Sequence, residues 1–90
     1  MFNTIIKGLG KYLPENVVSN HDLEKLMETT DEWIQERTGI KERRWIPEGS
    51  EDTTAIMGVK AARKAIENAG LQPSDIDFII FATLSPDYYF

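Results

Sequence analysis

Apolar residues recur every three or four positions along one stretch of this chain and bunch into short runs elsewhere. Ala55, Ile56, Val59, Ala62, Ile66 and Ala69 keep a helical period, which predicts a helix from near Asp52 to Gly70. Ala61 and Ala65 widen that face with small side chains that permit close packing on a sheet. Phe78-Ile-Ile-Phe-Ala82 is a continuous apolar run rich in β-branched and aromatic residues, and it predicts a buried strand over 78–83. A strand apolar on both faces needs neighbours in a sheet and covering layers on each side. The chain offers few such partners and its last three residues are aromatic. The expectation is that these 90 residues are the front of a larger α/β protein.

The shorter elements are read from their boundaries. Phe2 to Ile6 is a strand candidate, and Gly8-Leu9-Gly10 then loosens the backbone into a turn. A lone Gly-x-Gly with no helix behind it says little about dinucleotide binding. Ser19-Asn20 can cap a short helix through Asp22 to Met27, with Leu23, Leu26 and Met27 as its apolar side. Thr29 and Glu32 have the spacing of a capping box for a second helix, which passes through Trp33, Ile34 and Arg37 and stops at Gly39. Ile40 to Trp45 reads as a strand or extended edge, ended by Pro47-Glu-Gly49. Leu71-Gln-Pro73 leads into a tight turn or a single helical turn at 74–77.

Composition narrows the function classes. A net charge of −5 argues against a nucleic-acid binder. The stretch from Glu36 to Arg44 nevertheless carries four basic residues against two acidic ones, which fits a small anionic ligand. The absence of cysteine excludes disulfides, thiolate metal sites and a cysteine nucleophile within these residues. No apolar run approaches the length of a membrane span and the start lacks the pattern of a signal peptide, so the expected setting is soluble and cytoplasmic, with no membrane partner.

Candidate chemistry centres on the second helix. Trp33 and Arg37 are four apart and share a face. An indole can stack on a flat ring, and a guanidinium can bind phosphate. Thr29 and Thr38 place hydroxyls near the two ends of that helix. By spacing alone the plainer reading is favoured: Trp33 is core, Thr29 only caps, and Arg37 pairs with Glu32 or Glu36. His21, the single histidine, reads as a solvated surface residue. Asp75 and Asp77 read as turn residues, and no metal site is expected.

Several segments resemble the opening of β-ketoacyl-acyl carrier protein synthase III. They are Gly8-Leu-Gly-Lys-Tyr-Leu-Pro-Glu15, Val18-Ser-Asn20, Thr30-Asp-Glu-Trp-Ile34, Arg37-Thr-Gly-Ile-Lys-Glu-Arg-Arg44 and Ile79-Ile-Phe-Ala-Thr-Leu-Ser-Pro-Asp-Tyr88. The resemblance covers essentially the whole chain, and the block from Thr30 to Arg44 is its most specific part. It implies a thiolase-like α/β fold, layered α-β-α-β-α, of which residues 1–90 would form the incomplete N-terminal half. It also implies a homodimeric acyltransferase that starts fatty acid synthesis. A cysteine takes an acyl group from a coenzyme A thioester, and a histidine and an asparagine help decarboxylate malonyl-acyl carrier protein. The resulting carbanion attacks the acyl-enzyme.

None of those catalytic residues lies within this chain. Coenzyme A enters as substrate, and no separate cofactor is implied. Among binding residues, Trp33 matches the tryptophan that stacks on adenine and Thr29 a threonine beside it. Arg37 and Thr38 match residues at the tunnel mouth. Phe90 matches a position that reaches the partner subunit's acyl pocket, which implies a small primer. The resemblance thus raises the ligand reading of Trp33 above the core reading. Two alternatives stand beside this one. The first is a related enzyme of secondary metabolism with another primer. The second is a stand-alone, non-catalytic module that holds a nucleotide through Trp33 and Arg37, or acidic carrier protein through 41–44.

Overall fold

A computed structural model describes residues 2–88 and divides into two compact units, Leu13–Ser50 and Met1–Tyr12 with Glu51–Phe90. In the first unit, β1 (Asn16–Ser19) pairs antiparallel with β2 (Glu42–Trp45), placing Val17 opposite Arg44 and Val18 opposite Arg43. Between these strands the chain forms α1 (Asn20–Glu24) and α2 (Asp31–Thr38). Val18 and Ile34 are the buried apolar centre. So small an apolar centre leaves much of the ordering to polar contacts, because a lone two-stranded ribbon is marginal in water.

The caps explain where the helices begin and end. Ser19 Oγ accepts from the Asp22 N–H at 3.1 Å, and the Ser19 N–H donates to the Asp22 carboxylate at 2.9 Å, a reciprocal capping box. α1 is shorter than its sequence predicts: it ends at Glu24, so Leu26 and Met27 lie beyond it and are exposed. α2 is capped one residue later than expected. Thr30, not Thr29, accepts from the Trp33 N–H, at 3.2 Å. Gly39 closes α2 in the left-handed conformation, φ 73°, with its N–H on the Gln35 carbonyl.

The second unit is built on α3 (Thr54–Asn68). Thr53 caps it, and the Asp87 carboxylate accepts from Thr53 Oγ and from the Ala55 N–H, satisfying another donor of the first turn. The far end is a Schellman turn: Leu71 N–H bonds to the Ile66 carbonyl and Gly70 N–H to that of Glu67, with Gly70 at φ 72°. A single 3-10 turn at Pro73–Asp75 follows, with Asp75 accepting from the Gln72 N–H. Tyr12 donates to Asp52, which also pairs with Lys60 Nζ at 2.7 Å.

α3 uses only part of the expected face, Ala61, Ala65 and Ala69, with Gly58 added to it. A Cβ at Gly8 would meet the Ala65 carbonyl oxygen at 2.5 Å, one at Gly10 would strike the Ala61 carbonyl, and one at Gly58 would strike the Phe81 ring. The contacting stripe is therefore Gly58, Ala61, Ala65 and Ala69, while Ala55, Val59 and Ala62 are exposed. Gly8 and Gly10 are needed for close backbone approach to the helix; neither has a positive φ.

Two expected strands do not form. Among the described residues the only ladder is β1–β2, and neither Phe2–Ile6 nor Phe78–Thr83 is paired. The run expected to be buried is instead exposed, with Phe78 at 81% and Ile80 at 85%. A ladder needs a second strand to accept and donate its hydrogen bonds, and none of the described segments supplies one. No helix among the described residues is long and apolar enough to cross a membrane.

Candidate functional site

The second helix puts its aromatic and basic residues on one face, as four-residue spacing requires. Trp33 is 54% exposed, so the core reading that spacing favours is not what is observed. The Arg37 guanidinium carbon lies 5.5 Å from the centroid of the Trp33 ring, within cation–π range. Among the described residues Arg37 forms no ion pair with Glu32 or Glu36. Beside the indole is an open recess of about 750 Å³, lined by Leu26, Met27, Thr29, Thr30 and Trp33 together with the chain from Glu24. That volume is in the range of small-molecule sites.

The expected site residues fall into three groups. Thr29 and Trp33 line the recess, and Arg37 joins them through the indole. Thr38 is at the helix end, where its hydroxyl donates to the Ile34 carbonyl at 2.7 Å and accepts from the Ile40 N–H at 3.1 Å. Phe90 lies outside the described residues. Leu26 and Met27 were not expected at the site. Sequence reading put them on a helix face, and the early end of α1 turns them into recess wall.

A polar network ties α2 to the β1–β2 ladder. Asn20 is 1% exposed. Its Nδ2 donates to Asp31 Oδ1 at 2.7 Å and to the Ile40 carbonyl at 2.8 Å, and its Oδ1 accepts from Arg43 Nη2 at 2.6 Å. Arg43 also bonds the Val18 carbonyl, and Arg44 bonds that of Pro14. Two of the four cations in the expected basic stretch are thus engaged in holding the fold. Asp31 accepts from Asn20 and then from Gln35, and these bonds hold its carboxyl below the usual range. Glu24 accepts the Asp31 N–H at 2.9 Å, which lowers its pKa, with His21 adding to the effect. His21 is exposed and its pKa is raised by Glu24, 3.2 Å away.

The arrangement offers a flat aromatic face, a neighbouring cation and hydroxyl groups. It can bind a ring that carries anionic groups. It holds no cysteine, and no cluster of three metal-ligating side chains occurs among the described residues.

Comparison with known proteins adds the family context. No protein-family model matches the chain. It is 55% identical over 89 residues to "Beta-ketoacyl-[acyl-carrier-protein] synthase III" of Campylobacter jejuni, which covers 99% of this chain and 27% of that protein. It is 56% identical over 88 residues to "Beta-ketoacyl-[acyl-carrier-protein] synthase III 1" of Bacillus cereus, covering 98% and 28%. The chain therefore spans just over a quarter of the length of these relatives. The crystal structure of 3-oxoacyl-[acyl-carrier-protein] synthase III from Aquifex aeolicus superposes with a TM-score of 0.89 at 50% identity, over 98% of this chain and 28% of that one. A priming beta-ketosynthase from a polyketide biosynthetic pathway superposes with a TM-score of 0.73 at 42% identity, over 80% and 21%. In sequence and in its thiolase-like α/β fold, this chain corresponds to a segment of β-ketoacyl-[acyl-carrier-protein] synthase III.

Proposed function

We propose that this chain is the N-terminal, coenzyme A-binding segment of a condensing enzyme of the synthase III type. The full-length enzyme joins a short acyl-coenzyme A to malonyl-acyl carrier protein, releases carbon dioxide and so starts fatty acid synthesis. The observation that carries this reading is the half-exposed Trp33 beside Arg37 at the edge of an open recess. The indole stacks on adenine, Thr29 borders the ring, and Arg37 and Thr38 stand at the mouth of the coenzyme A tunnel. Residues outside this chain supply the nucleophile that takes the acyl carbon from the coenzyme A sulfur. They also supply the groups that assist decarboxylation.

The exposed run from Phe78 to Phe81 supports a place in a larger layered fold rather than a stand-alone module. In this reading the enzyme is a cytoplasmic homodimer with acyl carrier protein as partner, and Phe90 limits the acyl pocket. The likeness to the priming beta-ketosynthase favours a second reading, an enzyme of secondary metabolism. The synthase III structure fits over more of the chain and with a higher TM-score, so the fatty acid reading is preferred.

The test is condensation. Full-length protein carrying this segment is expected to release carbon dioxide from acyl-coenzyme A and malonyl-acyl carrier protein. The 90-residue chain alone is expected to release none above buffer. Release by the short chain would overturn the placement of the chemistry outside it. A full-length protein that binds coenzyme A yet condenses nothing would refute the synthase reading.

A further inference from the structure

The Asn20 carboxamide does more than fill a buried site. It touches the residue that opens α2, Asp31, and the residue just past its closing glycine, Ile40. Its oxygen faces Arg43 of β2, and its backbone N–H bonds the Lys41 carbonyl at 3.0 Å. The amide orientation follows from the partners: Nδ2 faces two acceptors and Oδ1 faces a guanidinium, so a flipped amide would lose all three side-chain bonds. Aspartate keeps the Arg43 bond and loses both donors toward α2. Leucine removes all three bonds: the Ile40 carbonyl loses its amide donor, Asp31 keeps only Gln35, and Arg43 keeps only the Val18 carbonyl.

We propose that Asn20 is the positioning residue of the Trp33–Arg37 platform, because one carboxamide ties both ends of α2 to the β1–β2 ladder and so sets where the indole lies. The ligand side of this inference rests on the coenzyme A reading above. Asn20 does not line the recess and acts only through α2.

The experiment uses the full-length protein with Asn20→Asp, the double variant Asn20→Asp/Asp31→Asn, and Thr53→Ala, which removes the cap of α3, as a destabilised control. Hydrogen exchange of the α2 amides is compared with that of the β1–β2 ladder, and coenzyme A is titrated well below each melting temperature. Asn20→Asp is expected to bind coenzyme A about tenfold more weakly, the effect of roughly one lost charge-assisted hydrogen bond. It should also accelerate exchange in α2 more than in the ladder. The double variant restores a bond of reversed polarity at position 31 and should recover part of the affinity. Thr53→Ala should lower the melting temperature and leave affinity unchanged. Unchanged affinity in Asn20→Asp, or a loss equal to that of Thr53→Ala, overturns the proposal. If wild-type protein fails to bind coenzyme A, the ligand reading falls and the exchange data alone decide: selective acceleration in α2 upholds the clamp, and uniform or absent acceleration overturns it.

Discussion

Trp33→Ala in the full-length protein separates a ligand platform from a packing residue. With 54% of its surface exposed, the indole has a little under half of it covered by protein. A tryptophan can bury about 150–250 Å², so about 70–115 Å² is at stake, worth about 2–3 kcal/mol at roughly 25 cal/mol per Å². The extended-chain reference makes that an upper figure, and the expected loss of stability is about 1–2 kcal/mol. A fully buried tryptophan would cost about 3–5 kcal/mol on the same change. Stacking of a base on an aromatic ring contributes about 1–3 kcal/mol, so coenzyme A should bind roughly 5–150-fold more weakly. Thermal melting and coenzyme A titration of the one variant read both quantities. A core-sized fall in melting temperature with unchanged affinity in the folded protein would refute the platform and leave Arg37 and Thr29 without their principal neighbour.

Other expectations follow from the same geometry. Asp22, Glu24 and Asp31 are all held below their ordinary values of 3.8, 4.5 and 3.8, by the Ser19 N–H, the Asp31 N–H and the Asn20 amide respectively. Their stabilisation is present above those values and is lost as pH falls through the depressed ones, so the Leu13–Ser50 unit should loosen below about pH 4, seen as lower protection factors of α2 amides relative to the intrinsic exchange rate at each pH. His21 acts in the opposite sense: its raised pKa contributes stability below 6.5 that fades as pH rises through the folded value, and His21→Ala should flatten that part of the profile. Gly10→Ala would drive a methyl into the Ala61 carbonyl and should destabilise by about 1–3 kcal/mol or more in denaturant melts, with no loss meaning that the close approach is wrong. The 90-residue chain by itself should associate or bind hydrophobic dye through Phe78, Ile79 and Ile80; a monodisperse monomer with sharp, dispersed amide signals contradicts this.

Local signals carried the helices. The αL glycines at 39 and 70 and the period of α3 act within a few residues, so the chain alone determines where the last two helices run to within a residue or two. The pairing of Trp33 with Arg37 is likewise local, since four-residue spacing on a helix brings them together. Partners distant in sequence decided the rest. Whether Trp33 is covered depends on what packs over α2, and sequence reading of the helix cannot see that. The Asn20 clamp joins residues 11, 20 and 23 positions away, and only the paired strands bring them within hydrogen-bond reach. The β-branched run over 78–83 has strand chemistry, but a strand forms only against another strand, and no described strand pairs with it. Periodicity named the apolar face of α3, while the close approach of Gly8, Gly10 and Phe81 chose which part of it is covered.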